Sequence, residues 1–256
     1  MPVAPANEKR GGLAIIGGTG FASLDGLKVT HREVVNTPYG APSGPVIHGL
    51  LFGKPVVFLA RHGYSHTIPP HMINYRANLW ALKHLNVGEV IAIAAVGGIN
   101  PAIYPERLAF PDQIIDYTWG RAHTFFEREL SRVTHIDFSQ PYSEPLRTVL
   151  MQGARAAGLD AYESGTYGAT QGPRLETAAE IDRMARDGCD MVGMTGMPEA
   201  ALARELELGY ATCAVCANWA AGRGGAAISM ADIRRALDHS MKQVERMLAA
   251  MMQARG

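Results

Sequence analysis

Three continuous apolar runs, at residues 13–16, 56–60 and 90–96, constrain the fold of this chain more than any other feature. Apolar residues that do not alternate with polar ones are typical of strands buried on both faces, as in a parallel sheet covered by helices. Such strands deliver the residues that follow them to an edge of the sheet where ligands usually bind. The runs therefore predict an α/β fold with a ligand site at one sheet edge.

The residues that follow these runs are suited to bind an anion. The first run leads into Gly-Gly-Thr-Gly at residues 17–20, the second into Arg61 and His62, and the third into two glycines at residues 97–98. Glycines leave backbone N–H groups free to face an anion, Thr19 adds a hydroxyl, and Arg61 can fork onto phosphate oxygens. We expect a phosphate site here, although residues 17–20 alone fit a plain tight turn equally well.

The composition limits the possible partners. Hydrophobic residues make up 47% of the 256 and charged residues 19%, which excludes a disordered chain. The 24 basic residues balance the 24 acidic ones, so no global charge attracts nucleic acid or an acidic membrane. No apolar stretch is long enough for a membrane span, and residues 1–10 lack the apolar centre of a signal peptide. We expect a cytoplasmic protein with one domain over residues 1–256, of which residues 1–10 are a flexible lead.

The rest of the chain alternates between strand and helix patterns, without a repeat or a linker. Further strands are predicted at residues 113–117, 162–169, 190–194 and 210–217. Helices are predicted at residues 142–158, 177–187, 198–208 and 229–252. This alternation predicts a single α/β domain with a mixed, largely parallel sheet flanked by helices.

Only three cysteines occur, and Cys213 and Cys216 form a Cys-x-x-Cys pattern. The pattern lies in a predicted buried strand, where residues three apart face opposite sides, so the two thiols diverge. There is no second pair for zinc, and an odd count builds no disulfide framework. We therefore expect buried thiols.

Three histidines, His62, His66 and His71, lie close enough in sequence to suggest a metal site. Glycine and proline between them disfavour a helix that would bring them together, and no carboxylate occurs between residues 61 and 84. Solvated loop histidines are a second interpretation. A site for an anion and a sugar fits best, because these histidines can donate to oxygen atoms beside Arg61. We expect no metal.

Four segments of the chain resemble one known family. Residues 61–78 are similar to the phosphate and ribose segment of the methylthioadenosine phosphorylases, which belong to the trimeric purine nucleoside phosphorylase family. Residues 16–21, 172–177 and 194–199 match further segments in the same order, and the resemblance extends from residue 13 to about residue 240. It implies a single-domain nucleoside-phosphorylase fold and a homotrimeric enzyme that cleaves purine nucleosides with phosphate as co-substrate. It implies no metal or organic cofactor.

The resemblance also implies roles for individual residues. Phosphate would be held by Thr19, Arg61, His62 and Thr195, with backbone from a loop at residues 94–98 that lacks the family's usual hydroxyl. Met194 would pack against the ribose. The neighbouring pocket, part of which often comes from the adjacent subunit, would be formed or bordered by His66, Ile68, Pro70 and Asn74. No side-chain nucleophile is required, because the protein positions the phosphate and stabilises charge on the departing purine.

The expected purine contacts depart from the methylthioadenosine phosphorylase pattern. Where those enzymes have Asp-Tyr-Asp, this chain has Asn-Trp-Ala at residues 218–220. The Asn218 amide can donate to O6 of a 6-oxopurine and interact at N7. Glu176 matches the glutamate that purine nucleoside phosphorylases use to accept N1–H, although alone it also fits a first-turn helix glutamate. We predict that Glu176 and Asn218 are the catalytic, base-contacting pair for hypoxanthine.

The sugar end of the predicted site favours a thioether. Purine nucleoside phosphorylases place a histidine near the ribose 5′-hydroxyl, and the aligned residue here is Met230, followed by Ile233. Neither side chain can pair with a hydroxyl, and both suit a methylthio group. The predicted substrate is S-methyl-5′-thioinosine, cleaved to hypoxanthine and 5-methylthioribose 1-phosphate in purine and methionine salvage. The alternatives are a methylthioadenosine phosphorylase, an inosine or guanosine phosphorylase, and a non-catalytic nucleoside-binding module.

Overall fold

The computed structural model describes residues 11–18, 26–128, 132–225 and 229–255. Within these residues, eleven strands form one sheet. The strands are β1 (Gly12–Gly17), β2 (Leu27–Glu33), β3 (Val46–Leu51), β4 (Lys54–Ala60), β5 (Val87–Gly98), β6 (Leu108–Ala109), β7 (Gln113–Asp116), β8 (Ala161–Tyr162), β9 (Thr166–Ala169), β10 (Met191–Gly193) and β11 (Gly209–Trp219). The helices are α1 (Tyr75–His84), α2 (Glu144–Ala156), α3 (Ala178–Arg186), α4 (Gly196–Glu205) and α5 (Met230–Ala254).

The three apolar runs become neighbouring parallel strands. β1 lies between β4 and β5, and Ile15 of β1 pairs with Phe58 on one side and Ile91 on the other. β11 runs parallel to β5 on its other flank, and β10 pairs antiparallel with the last residues of β5. The ends of β4, β1, β5 and β11 therefore meet at one edge of the sheet. The expected mixed, largely parallel sheet is confirmed.

The central strands of the sheet are buried between two helical layers because they are apolar on both faces. Ile15 packs in the cluster that contains Leu146 of α2 and Leu248 of α5. Its neighbour Ile16 faces the opposite cluster, which contains Leu82 of α1 and other residues of α1 and α4. Alternate residues of one strand thus serve two cores, as continuous apolar runs predict.

Most of the predicted elements are present, with small shifts at their ends. The strand predicted at residues 162–169 is divided into β8 and β9, because the backbone turns at Gly165, whose φ is +113°. Residues 94–98, expected to be a loop, are instead the end of β5. Four further elements were not predicted from the sequence: β2, β3, β6 and α1.

The cysteine interpretation is confirmed. Cys213 faces the core beneath α2 and α5, and Cys216 faces the opposite core, so the two thiols diverge across β11. All three cysteines are free and buried. Burial raises the pKa of both Cys213 and Cys216 to about 12.

α5 begins at the predicted N-cap, Ser229, whose hydroxyl accepts a hydrogen bond from the Ala231 N–H. Its stripe of Val244, Leu248 and Met251 is buried in the core. The opposite face is polar. None of the helices in the described part of the chain is both long and apolar enough to cross a membrane.

Candidate active site

Arg61 lies where the ends of three strands meet. Its backbone N–H donates to the Gly17 carbonyl of β1 at 2.9 Å, and its Nη1 donates to the Ile93 carbonyl of β5 at 3.1 Å. The side chain is only 1% exposed, which is rare for an arginine. A buried guanidinium needs a counter-charge, and the fold supplies one.

The counter-charge is Glu199, in the first turn of α4. Arg61 Nε and Nη2 donate to its two carboxylate oxygens, both at 2.7 Å, and Glu199 is fully buried. The hydroxyl of Tyr210, on β11, donates to the same carboxylate at 2.9 Å. Burial alone would lower the pKa of Arg61, but the adjoining Glu199 carboxylate raises it above its ordinary value. Arg61 therefore keeps its positive charge although it is buried.

This ion pair changes the expected role of Arg61. A guanidinium has five N–H donors, and three of those in Arg61 bind Glu199 and Ile93. The fork that was expected to face phosphate is occupied by Glu199. Within the described part of the chain, only the two other N–H groups are left for an anion.

His62 follows Arg61 in a compact turn. Its Nδ1 lies 2.8 Å from the Ile68 carbonyl, and because a carbonyl can only accept, Nδ1 carries the proton. Burial, and secondarily the charge of Arg61, lower the pKa of His62 to about 4. The imidazole is therefore neutral near pH 7, and its Nε2 is a hydrogen-bond acceptor. The His66 ring lies 4.6 Å away, with its backbone in the left-handed region at a φ of +50°.

β5 passes beside Arg61 with one exposed residue. Ala95 is exposed, although Ala94 and Val96 on either side of it are buried. An exposed side chain in a central strand marks an open space over the sheet. This position offers an anion backbone groups but no hydroxyl.

α4 begins at Thr195, which is 7% exposed and precedes Glu199 by four residues. Its backbone N–H donates to the Tyr167 hydroxyl at 3.4 Å. Met194, the preceding residue, packs against Gly172, where a Cβ would lie 2.5 Å from the Met194 sulfur. Gly172 also has a φ of +60°, so glycine is required there for both reasons.

Glu176 is linked through Thr170 to Gly193, the residue before Met194. The Thr170 hydroxyl donates to Glu176 Oε1 at 2.6 Å, and the Thr170 N–H donates to the Gly193 carbonyl at 2.8 Å. Glu176 lines a cavity of about 500 Å³. The other residues of that cavity include Asp116, Tyr117, Trp119, Thr170, Gly172 and Arg174.

Asn218 is placed by a β-bulge near the end of β11. Cys216 pairs with Val96 and Asn218 with Gly97, so Ala217 is the extra residue, and bulges commonly re-aim side chains beside functional sites. The Asn218 Nδ2 donates to the Trp219 carbonyl at 2.6 Å. Asn218 lines a second cavity of about 410 Å³, beside the start of α5. Glu176 and Asn218 therefore line different cavities in the single chain.

Arg121 joins the two loops that carry Thr170 and Met194. It is 8% exposed and donates to the carbonyls of residues on both loops, and its guanidinium also lies over the ring of Tyr75. The accepting backbone carbonyls are those of Thr170, Gln171, Met194 and Met197. One side chain thus fixes the spacing between these loops.

Comparison with known proteins identifies the family to which this chain belongs. The sequence pattern of the Phosphorylase superfamily matches residues 13–253. A Pseudomonas syringae pv. tomato protein named Probable S-methyl-5′-thioinosine phosphorylase is 54% identical over 241 residues, which cover 94% of this chain and 98% of the relative. A Xylella fastidiosa protein of the same name is 57% identical over 222 residues, or 86% of this chain and 90% of the relative. The chain belongs to the phosphorylase superfamily.

A solved structure agrees with this membership. Methylthioadenosine phosphorylase from Schistosoma mansoni, in complex with adenine, superimposes on this phosphorylase with a TM-score of 0.89. The two are 30% identical, and the match covers 95% of this chain and 91% of the other. The resemblance inferred from the four sequence segments is confirmed.

The phosphorylase brings several of the predicted phosphate residues together. His62 adjoins Arg61, and Thr195 begins the helix whose Glu199 holds Arg61. Gly18 lies beside His62, since a Cβ there would be 3.9 Å from the imidazole. Thr19 lies outside the described residues. The assignment of phosphate binding to Thr19, Arg61, His62 and Thr195 stays a prediction.

Other predicted site residues shape the loops of the phosphorylase. The Ile68 carbonyl holds His62, and the Pro70 carbonyl accepts a hydrogen bond from the Tyr75 hydroxyl at 3.0 Å. Asn74, expected to border the pocket, caps α1 by accepting from the Ala77 N–H. Its Nδ2 donates to two backbone carbonyls on the segment after β2, so both ends of its amide are engaged.

Met230 and Ile233 lie at the start of α5, outside both cavities. Met230 is 61% exposed, and Ile233 is partly exposed. The second cavity is instead bordered on this helix by polar residues, among them Asp232 and Arg235. The apolar pocket expected around Met230 is not formed by the described residues of one chain.

Three residues of the phosphorylase site escaped the sequence analysis: Glu199, Tyr210 and Arg121. The burial of Glu199 could have been predicted, because it is a lone carboxylate followed by the apolar residues 200–203. A carboxylate in such surroundings needs a buried cation as its partner. Arg121 lies in a loop of mixed composition, so no periodicity indicated its burial.

Proposed function

We propose that this phosphorylase cleaves S-methyl-5′-thioinosine with inorganic phosphate, giving hypoxanthine and 5-methylthioribose 1-phosphate in purine and methionine salvage. The observation that carries the proposal is the hydrogen bond from Thr170 to Glu176. Because the hydroxyl donates to one carboxylate oxygen, the other oxygen is left as an acceptor. Hypoxanthine presents N1–H to such an acceptor, whereas the N1 of adenine is itself an acceptor. The names of the relatives at 54% and 57% identity support the same substrate.

Asn218 takes the other edge of the base in this proposal. Its amide carries both a donor and an acceptor, which suits O6 and N7 of a departing 6-oxopurine. The hydrogen bond to Trp219 would be exchanged for the base when the substrate binds. Stabilising negative charge on the purine as it leaves is the main catalytic task, so we assign Asn218 and Glu176 as the catalytic residues.

Phosphate binds at the meeting point of β1, β4 and β5. Arg61 contributes charge and its two uncommitted N–H groups, and Thr195 and Thr19 contribute hydroxyls. Neutral His62 accepts at Nε2, which suits a phosphate oxygen that carries a proton. Accepting that hydrogen bond turns the other, ionised oxygens of the phosphate toward the anomeric carbon. The reaction uses phosphate as co-substrate and needs no metal or organic cofactor.

We further propose a homotrimer in which a partner subunit completes the sugar pocket. Met194 packs against the ribose. The methylthio group lies toward Met230 and Ile233, near the loop of His66, Ile68 and Pro70. Met230 and Trp119 are 61% and 73% exposed in the single chain, and apolar side chains this exposed mark contact surfaces. The working unit is one domain over residues 1–256, in the cytoplasm.

The test is phosphorolysis of four nucleosides by the purified protein: methylthioinosine, methylthioadenosine, inosine and guanosine. We expect the largest kcat/KM for methylthioinosine, with release of hypoxanthine that depends on phosphate. Higher kcat/KM for methylthioadenosine would contradict the base assignment, and higher kcat/KM for inosine would contradict the sugar assignment. Binding without phosphate-dependent release of base would indicate a nucleoside-binding module.

Methylthioadenosine is the second candidate substrate. The Asn218 Nδ2 is engaged with Trp219 in the free chain, which leaves the amide oxygen as the more available atom. That oxygen could accept from the 6-amino group of adenine. Glu176 argues against it, because its free carboxylate oxygen would face the N1 lone pair of adenine.

A further inference from the structure

A cluster of two histidines and a glutamate lies on the β2–β3 hairpin, apart from the phosphorylase site. One ligand atom from each of His31, Glu33 and His48 can be chosen so that all lie within 4.8 Å of one another. The imidazole rings of His31 and His48 stack at 4.2 Å. His48 Nε2 lies 2.9 Å from a Glu33 oxygen. β2 is at the end of the sheet order, with β3 and β4 between it and β1.

A β-bulge in β2 brings the three side chains to one face. The register shifts between Val29 and His31, so Thr30 is the extra residue and His31 pairs directly with His48. The Thr30 hydroxyl donates to the His48 carbonyl at 2.9 Å and fixes the bulge. Glu33 is two residues beyond His31 and therefore projects from the same face of the strand.

An ion pair alone does not account for this arrangement. Despite its short distance to Glu33, the buried Nε2 of His48 has no hydrogen bond of acceptable geometry. Two stacked imidazoles would also repel each other if both were protonated. A cation held between neutral imidazoles and a carboxylate satisfies all three groups.

We propose that His31, Glu33 and His48 bind one Zn²⁺ ion, with water in the fourth position. Two imidazole nitrogens and a carboxylate oxygen form a ligand set that Zn²⁺ accepts. Thr30 Oγ1 lies 3.3 Å from His31 Nδ1, which supplies a partner for the ring nitrogen that does not bind metal.

The side chains have room to close around the ion. At the usual zinc distances, ligand atoms of a tetrahedral site are about 3.4 Å apart. The ligand atoms here lie within 4.8 Å of one another, so the widest pair must approach by up to about 1.4 Å. The rings must also turn out of their stack, so that each directs a nitrogen at the ion. His31 is exposed, and the Glu33 side chain is 43% exposed, so these rotations disturb no core residue.

Metal at this position would join the outermost strand of the sheet to its neighbour. β2 is almost entirely exposed and pairs along one side only, with β3. A ligand that binds only the folded state stabilises it by mass action. Zn²⁺ should therefore raise the melting temperature of the protein.

The experiment titrates Zn²⁺ into the full-length, chelator-treated protein, with calorimetry and competition against a chromophoric chelator as readouts. We expect one tight site per chain, and affinity at least about tenfold lower in His48→Ala and in Glu33→Gln, by the scale of losses at metal sites. His84→Ala is the matched control, because His84 is an exposed histidine stacked on an aromatic ring, that of Trp80. Its affinity should equal that of the wild type.

Melting in the presence and absence of Zn²⁺ gives a second readout, and phosphorolysis by each variant shows that it is folded. Zn²⁺ should raise the melting temperature of the wild type and of His84→Ala but not of His31→Ala. Absence of a tight site in the wild type would overturn the proposal. It would also be overturned if binding persisted in His48→Ala and were lost in His66→Ala, which would place the metal at the phosphorylase site.

Discussion

Arg61 and Glu199 are joined by two hydrogen bonds of 2.7 Å between side chains that are at most 1% exposed. The pair connects the end of β4 to the first turn of α4, across 138 residues of sequence. It fixes the guanidinium beside His62 and prevents it from turning freely toward a ligand. The proposed phosphate site would therefore depend on a carboxylate that itself needs no contact with phosphate.

Replacing Glu199 with glutamine should destabilise the protein strongly. The amide leaves the Arg61 charge buried without compensation, and breaking a buried pair in this way costs about 3–5 kcal/mol. Urea unfolding measures the loss, and the phosphate KM should rise because Arg61 is no longer held in place. Glu207→Gln, just beyond α4 and exposed, serves as the control. A loss of stability no larger than that of the control would contradict this account of the pair.

Lowering the pH should destabilise the protein through His62. Burial and the charge of Arg61 lower its pKa from 6.5 in the unfolded chain to about 4 in the folded one. Between these values the unfolded state binds more protons, so this contribution to stability is present above pH 6.5 and is lost as the pH falls toward 4. In His62→Asn, the melting temperature should vary less with pH over this range. The control is His84→Asn, which removes an exposed histidine. If the melting temperatures of His62→Asn and His84→Asn depend equally on pH, the pKa of His62 is not lowered by folding.

A hydroxyl at position 95 should strengthen phosphate binding. Ala95 is the exposed residue of β5 beside Arg61, and the space over it has room for a serine hydroxyl. A hydrogen bond to a charged group contributes about 1.5–3 kcal/mol, so the phosphate KM of Ala95→Ser should fall roughly tenfold. Ala92→Ser puts the hydroxyl on a buried residue of the same strand outside residues 94–98, and it should leave the phosphate KM unchanged. An unchanged KM in Ala95→Ser would place phosphate elsewhere.

Arg121→Met should weaken nucleoside binding as well as stability. Removing the guanidinium leaves the carbonyls of Thr170 and Met194 without their donor. Each buried carbonyl left without a hydrogen bond should lower the free energy of unfolding by about 1–3 kcal/mol. The loops that position Glu176 and Met194, the proposed base and ribose contacts, should then separate, so the nucleoside KM should rise. Arg155→Met, which removes an exposed arginine that lines neither cavity, is the control. The role assigned to Arg121 is wrong if the two variants have the same nucleoside KM.

The strands that carry the site were predictable from the sequence. Because they are buried on both faces, each is an uninterrupted run of apolar residues, as around Ile15, Phe58 and Ile91. β2 was not predictable in this way, since its residues are exposed on both faces. α1 also gave a weak signal, because its first turn has no acidic residue and its cap, Asn74, follows two prolines by several residues.

The site was predictable only in part, for a different physical reason. Sequence order placed Arg61 and His62 at a strand end, but pairing partners distant in sequence, such as Glu199, depend on how α4 packs. The bulge at Ala217, which decides where Asn218 points, is a matter of register against β5. A one-residue shift of this kind leaves no periodic trace in the sequence.

Asn218→Asp should move base selectivity toward methylthioadenosine. A protonated carboxyl could donate to N7, and an ionised one could accept from the 6-amino group, whereas hypoxanthine loses the donor that O6 requires. Mismatched buried polar groups cost about 1–3 kcal/mol each, so the ratio of kcat/KM for methylthioinosine over methylthioadenosine should fall at least about fivefold. Conversion should be incomplete while Glu176 still faces N1. Glu176→Gln is the companion variant, because its amide can donate to the N1 of adenine but can also accept N1–H, so it should lower the same ratio less sharply. If Asn218→Asp leaves the ratio unchanged, Asn218 does not contact the base, and its hydrogen bond to the Trp219 carbonyl persists in the complex.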